Sequence, residues 1–174
     1  MENLFKYALL FFISISYSQN EKLYEETSVI KIGDKTPTFK YLNNNDELLN
    51  SSNLNGKIIL INFFATWCAP CMTEMPYLEK EIWEKYKTNP NFELIAFGRG
   101  HSLEETNAFI AKKKFSFSIF PDKEKSIYNL FATQFIPRNY LFDKHGKLVY
   151  TSVGFSIEEF QKLKDKIEEL IKQN

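Results

Sequence analysis

The stretch Phe63-Phe64-Ala65-Thr66-Trp67-Cys68-Ala69-Pro70-Cys71 decides the reading of this chain. Upstream lies an apolar run, Ile58 to Phe64, interrupted only by Asn62. The run is short, β-branched at its start and preceded by Gly56-Lys57, the pattern of a strand buried on both faces. Downstream, Met75, Leu78, Ile82 and Tyr86 follow helical spacing, with Glu79, Lys80 and Glu84 on the other side. The helix begins at about Cys68 to Pro70, and a proline is tolerated in a first turn because its missing N–H costs nothing there. Pro76, inside the helix, should kink it by removing one backbone bond. Cys68 therefore falls at the mouth of a helix, where unpaired N–H groups and the positive dipole end favour a thiolate over a thiol. Cys68 is expected to be the exposed nucleophile. Cys71, one turn on, is expected to be the resolving thiol that releases a mixed disulfide.

Further along the chain, strands and helices alternate. Gly33 to Asn50 reads as an edge strand or hairpin turning at Asn43-Asn44-Asn45-Asp46. Phe92 to Phe97 is a second buried-strand candidate, ended by Gly98-Arg99-Gly100. Ser102 with Glu105 has capping-box spacing and opens a helix to about Lys114. Ser116 to Phe120 predicts a short strand, Pro121-Asp122 a turn, and Lys125 to Phe131 a short helix. Asn139 to Phe142 and Lys147 to Thr151 flank a tight turn and read as a hairpin. Ser156 with Glu159 caps a terminal helix that carries Phe160, Leu163, Ile167, Leu170 and Ile171 on one face. This order indicates an α/β layer fold with a mixed sheet.

The chain has 174 residues, 44% of them hydrophobic, so a single domain is expected. A unit of roughly 150 residues buries about 70% of the surface its unfolded chain exposes, enough for a core without staples. The 22 basic and 22 acidic residues cancel. Such a balance gives no electrostatic reason to expect nucleic acid or an anionic membrane surface as partner. Residues 1–18 have the layout of a secretory signal peptide. Lys6 precedes the apolar run Tyr7 to Tyr17, and Ser16 and Ser18 stand at the minus-three and minus-one places of a possible cut before Gln19. The run is short for a membrane-spanning helix, which needs about 20 apolar residues. An uncleaved membrane tether is the competing reading. No cysteine near the cut offers a site for lipid. Residues 19–32 read as a flexible lead-in, and 33–174 as the folded domain.

An exported chain meets an oxidising compartment where disulfides persist. This chain has only two cysteines. A bridge closing so small a loop removes little entropy from the unfolded state, so its value as a staple is low. A zinc site needs four ligands. There is no second cysteine pair, and His101 and His145 have no paired spacing, so no metal is expected. A copper-carrying role for the two thiolates remains an alternative.

The nine-residue stretch resembles the active-site strand and loop of the thioredoxin superfamily, and most closely its TlpA/ResA-like thiol–disulfide oxidoreductases. Glu74-Met75-Pro76 is similar to that branch's Glu-x-Pro after the second cysteine. Asn62 stands where cytoplasmic thioredoxins carry a buried Asp. Gly33, Pro37 and Phe39 resemble the branch's N-terminal hairpin, and Ile136-Pro137 its cis-proline step, followed by Tyr140-Leu141-Phe142-Asp143 and Gly146-Lys147. The resemblance covers about residues 33 to 172. It implies a thioredoxin-like fold with an N-terminal β-hairpin and a mid-fold βα insertion within Gly98 to Phe135. It implies catalytic roles for Cys68, Cys71 and Glu74, the last tuning the pair and shuttling a proton from Cys71. A solvated carboxylate at the helix start is the plainer alternative for Glu74. Trp67, Ile136 and Pro137 are implied to bind substrate, with Trp67 shielding the pair; as a core ring, Trp67 would need no such role. Arg138 replaces the Thr of many relatives, and is expected to read acidic groups on a partner or to be solvated.

The function implied is dithiol–disulfide exchange in the periplasm or cell envelope, without a cofactor. The expected partners are exported proteins bearing disulfides, apocytochromes awaiting haem among them, and an upstream electron-donating thiol protein. A monomer is expected. Ala69-Pro70 lacks the His of strongly oxidising relatives, which favours reductase over oxidase. A peroxide-reducing antioxidant of related fold would want Thr or Ser three residues before its cysteine, where this chain has Ala65.

Overall fold

A computed structural model describes residues 25–173. The expected signal peptide, and the lead-in up to residue 24, lie outside the described residues. An antiparallel hairpin comes first, β1 (Lys40–Leu42) and β2 (Leu48–Asn50). The central strand β3 (Ile58–Phe64) follows and leads into α1 (Ala69–Tyr77). Then come β4 (Phe92–Arg99), α2 (Leu103–Lys113), β5 (Ser118–Asp122), β6 (Arg138–Phe142), β7 (Leu148–Val153) and α3 (Ile157–Lys172). The sheet order is β5-β4-β3-β6-β7. β3 and β4 are parallel, as are β4 and β5, whereas β6 runs antiparallel to both β3 and β7. This is the thioredoxin-like mixed sheet, extended at one edge by the α2–β5 unit.

β3 is buried along its whole length because both faces of the sheet are covered. Ile58, Leu60 and Phe64 face a core built with Met75, Leu78 and Ile82 of the α1 run, Phe109 of α2, and Phe160, Leu163 and Ile167 of α3. Ile59, Ile61 and Phe63 face a second core with Phe39, Tyr41, Phe97, Tyr128, Phe131 and Tyr140. Alternation along a strand divides these sets. The three helices therefore cover one face. The hairpin and a 3₁₀ turn (Tyr128–Leu130) close the other.

Past Pro76, where a kink is expected, the helical run to Tyr86 changes its hydrogen-bonding pattern. The run continues through a π-helical stretch (Leu78–Trp83) into a last turn (Glu84–Tyr86). Pro76 has no N–H to donate to Met72, and the Leu78 N–H is shared between the Glu74 and Met75 carbonyls. Several expectations need correction. The strand expected at Ser116 to Phe120 is shifted, and Pro121 lies within it opposite Gly98. β5 is the sheet edge, where proline is tolerated. The helix expected over Lys125 to Phe131 shrinks to a 3₁₀ turn. Lys125 has a φ of +58°, which a right-handed helix does not hold, so the turn begins later, where the Asp122 carboxylate accepts the Ile127 and Tyr128 N–H groups at 3.1 and 2.8 Å.

The part of the lead-in that is described is not loose. Ser28 bridges to Ala132, Val29 N–H donates to the Phe131 carbonyl at 2.9 Å, and Ile30 is buried. Arg138 is neither solvated nor available to a partner; it is completely buried. Its Nε donates to the Gln134 carbonyl at 2.9 Å, and Nη1 to Ser28 Oγ at 3.0 Å and to Tyr140 at 3.2 Å. Nη2 donates to Thr27 Oγ1. The side chain points into the second core from the start of β6 and ties the lead-in to the loop before Pro137.

Candidate active site

Cys68 and Cys71 form a disulfide at the N-terminus of α1. Cys68 is the N-cap residue, and its Sγ accepts the Cys71 N–H at 3.3 Å. A helix start of this kind supplies N–H donors and a positive dipole end to the sulfur. The two sulfurs differ in access. Cys68 keeps 6% of its surface exposed, whereas Cys71 has none. An incoming group can therefore reach only Cys68.

The Ile136–Pro137 peptide is cis. It brings the Ile136 carbonyl oxygen to 3.6 Å from Cys68 Sγ, across 68 residues of chain. Trp67 does not belong to the core. At 70% exposure its ring stands in solvent beside Cys68. Pro137 is buried and Ile136 half-buried, so the exposed parts of this surface are Trp67 and the segment before Pro137.

Glu74 is 2% exposed, which overturns the solvated alternative. Two amides hold its carboxylate. Asn62 Nδ2 donates to Oε2 at 2.9 Å, and Asn139 Nδ2 donates to Oε1 at 2.6 Å. Asn62 also donates to Asn139 Oδ1 at 2.9 Å, and Asn139 reaches Ser152 Oγ at 3.3 Å. Asn62, Asn139 and Ser152 are register partners across β3, β6 and β7. They form a polar row beneath the first turns of α1. Burial pushes the Glu74 carboxyl up to about 7, against the opposing pull of the two amides. A carboxyl poised near neutrality can hold or release a proton at working pH. The structure thus brings together Cys68, Cys71, Ile136 and Pro137, with Glu74 three residues past Cys71 and Trp67 on the rim.

Two neighbours were missed by reading the sequence. Asn139 could be found only from the strand register. His101 sits after β4, and its Nε2 accepts the Thr66 N–H at 3.0 Å, bracing the loop that leads into Cys68. Gly98 makes room for it: a Cβ there would lie 2.9 Å from the His101 ring. Burial holds His101 below the usual imidazole range, with Glu105 pulling the other way. Its Nδ1 is 3.9 Å from Glu105 Oε2. The Gly98-x-x-His101 spacing was a visible signal, but one without a known partner.

A thioredoxin-like sheet that sets a CxxC disulfide at a helix mouth, facing a cis-proline, defines a thiol–disulfide oxidoreductase. The sequence profile of the Redoxin family matches residues 31–167, and the chain belongs to that family, in its TlpA/ResA-like branch. The thiol-disulfide oxidoreductase ResA of Bacillus anthracis is 27% identical over 158 residues, covering 90% of each protein. A Bacteroides thetaiotaomicron structure assigned as a protein disulfide isomerase superposes with a TM-score of 0.79 at 33% identity, over 84% of this chain and 93% of that one. A thioredoxin-family thiol:disulfide interchange protein of Chlorobium tepidum shares the fold, with a TM-score of 0.64 at 19% identity over 79% and 97% of the two chains.

Proposed function

We propose that the protein reduces disulfides of other exported proteins through Cys68 and Cys71. In the dithiol form the Cys68 thiolate attacks one sulfur of a partner disulfide. The partner's other sulfur leaves as a thiolate and takes up a proton. Cys71, losing its proton, then attacks Cys68 Sγ and expels the partner's second thiolate. Two electrons pass to the partner, and the chain is left with the Cys68–Cys71 bridge. Glu74 serves as the proton store for Cys71. Ile136 offers its backbone to the bound chain, Pro137 keeps that backbone beside the sulfur, and Trp67 covers the flank.

The observation that carries this reading is the unequal access of the two sulfurs, with the open one at a helix mouth 3.6 Å from the Ile136 carbonyl. Export is supported by the signal-like residues 1–18. An upstream thiol protein would recharge the dithiol. The reduction of insulin by wild type, Cys68→Ser and Cys71→Ser tests the mechanism. Turnover is lost in both variants, and Cys71→Ser accumulates a mixed disulfide through Cys68. Equal activity in all three rejects it.

A further inference from the structure

Phe135 occupies a backbone conformation that aromatic residues avoid. Its φ is +66°. Among the described residues the other non-glycine positions with positive φ are Asp46, Lys114 and Lys125, all polar. A bulky side chain in this region is an outlier, and such outliers persist only where surrounding structure over-determines them. Here two residues without exposed surface do so. The Tyr128 hydroxyl donates to the Phe135 carbonyl at 2.7 Å, and Arg138 Nε donates to the preceding Gln134 carbonyl at 2.9 Å.

The ring is not repaid by burial. Phe135 is 46% exposed, whereas Phe131, four residues earlier, is fully buried. Its position gives it a use. The next residue is Ile136, whose carbonyl lies 3.6 Å from Cys68 Sγ. On the other chain segment Trp67, 70% exposed, immediately precedes Cys68. Two solvent-exposed aromatic residues thus each stand one residue from an atom of the reacting pair's surroundings.

We propose that Phe135 is a specificity-determining residue: its ring receives an apolar side chain next to the cysteine of the incoming polypeptide. The inference rests on the exchange reading above, in which the substrate chain lies along Ile136. Its substrates are disulfides in extended or unfolded segments with Leu, Ile, Phe or Val beside the cysteine, rather than disulfides with polar flanks. Tyr128 and Arg138 act through Phe135, as positioning residues that keep its backbone left-handed. Aromatic rings supply large rigid contact area at low entropic cost, which suits a site that must accept varied apolar side chains.

The test uses two disulfide-bridged peptides that differ only in Leu or Ser beside the attacked cysteine. Reduced wild type favours the Leu peptide in kcat/KM by about tenfold, the discrimination one apolar contact can supply, and the difference lies in KM. Phe135→Gly removes the ring while keeping the positive φ that glycine adopts freely, so the fold is retained. It brings the ratio to within about twofold, a loss the same contact accounts for. Phe135→Tyr preserves the preference. A Leu preference unchanged in Phe135→Gly overturns the assignment. So does a wild type with no preference that still exchanges with 2-hydroxyethyl disulfide. A wild type that does not exchange even with that small disulfide overturns the exchange reading itself.

Discussion

Glu74 is where the chemistry of a single side chain is most exposed to test. Its folded-state pKa, about 7, lies above the ordinary 4.5 because burial penalises the carboxylate. The folded protein therefore holds a proton that the unfolded chain has lost between those values. This contribution to stability is complete below about pH 4.5 and lost as pH rises through about 7, up to roughly 3 kcal/mol in full. Glu74→Gln should flatten stability over this range, leaving the variant more stable than wild type at pH 8 by urea titration. Its resolving step should also lose the rise with pH that wild type shows through neutrality. A variant whose stability still falls from pH 5 to 8 as wild type does would remove Glu74 from the account. His101 makes a second case. Its Nε2 accepts from Thr66 and so must be unprotonated. His101→Ala should speed hydrogen exchange at the Thr66 amide about tenfold or more, the loss of one hydrogen bond. His101→Gln, which retains an acceptor, should restore part of the protection.

At this scale the residues that the structure brings together at the disulfide were legible and their supports were not. Cys68, Cys71 and Ile136-Pro137 sit in short strings whose chemistry is local. Asn62 and Asn139 meet only because β3 and β6 pair in one register, 77 residues apart. Arg138 was misread for a related reason. A charged residue is expected outside, and only tertiary structure shows the hydroxyls and carbonyl that satisfy it.

Among the elements, the capped helices follow their sequence signals. Ser102 Oγ accepts the Glu105 N–H, and Glu105 Oε2 accepts the Ser102 N–H, the reciprocal pair that the spacing predicted. Ser102→Ala should cost about 1 kcal/mol in denaturant unfolding, the usual worth of such a cap; no change would show α2 to be held by packing alone. The amphipathic pattern of α3 likewise places Phe160, Leu163, Ile167 and Leu170 in the core. Where elements departed from expectation, a backbone conformation or a sheet edge intervened. Lys125 has a φ of +58°, which a right-handed helix does not hold, so the turn begins later, and β5 carries Pro121 because it has no outer neighbour among the described residues.

For the whole molecule, the unexpected feature is the bracing of the loop before Pro137, in part by residues 110 and 111 positions away in sequence. Thr27 and Ser28 meet Arg138, Thr133 N–H donates to the Thr27 carbonyl at 2.9 Å, and Tyr128 holds Phe135. The cis-proline side of the site is thus fastened to the N-terminal entry of the domain. Arg138→Ala should destabilise the protein by about 3 kcal/mol, since it opens a cavity and leaves buried acceptors unpaired. A loss under about 1 kcal/mol in urea unfolding would mean the bracing is slight. The layered α/β architecture could be read from the alternation of apolar runs and caps. The packing of the lead-in could not, because Gln19 to Lys31 is too polar and aperiodic to announce a bridge to Ala132.

The account stands on Cys68 being an acidic, accessible sulfur. The direct measurement is the rate at which iodoacetamide alkylates Cys68 in the reduced protein as pH is varied. A midpoint clearly below the free thiol's value of about 8.5 is the predicted result. A midpoint at or above it, with the Cys68–Cys71 bridge inert to dithiothreitol, would contradict the account.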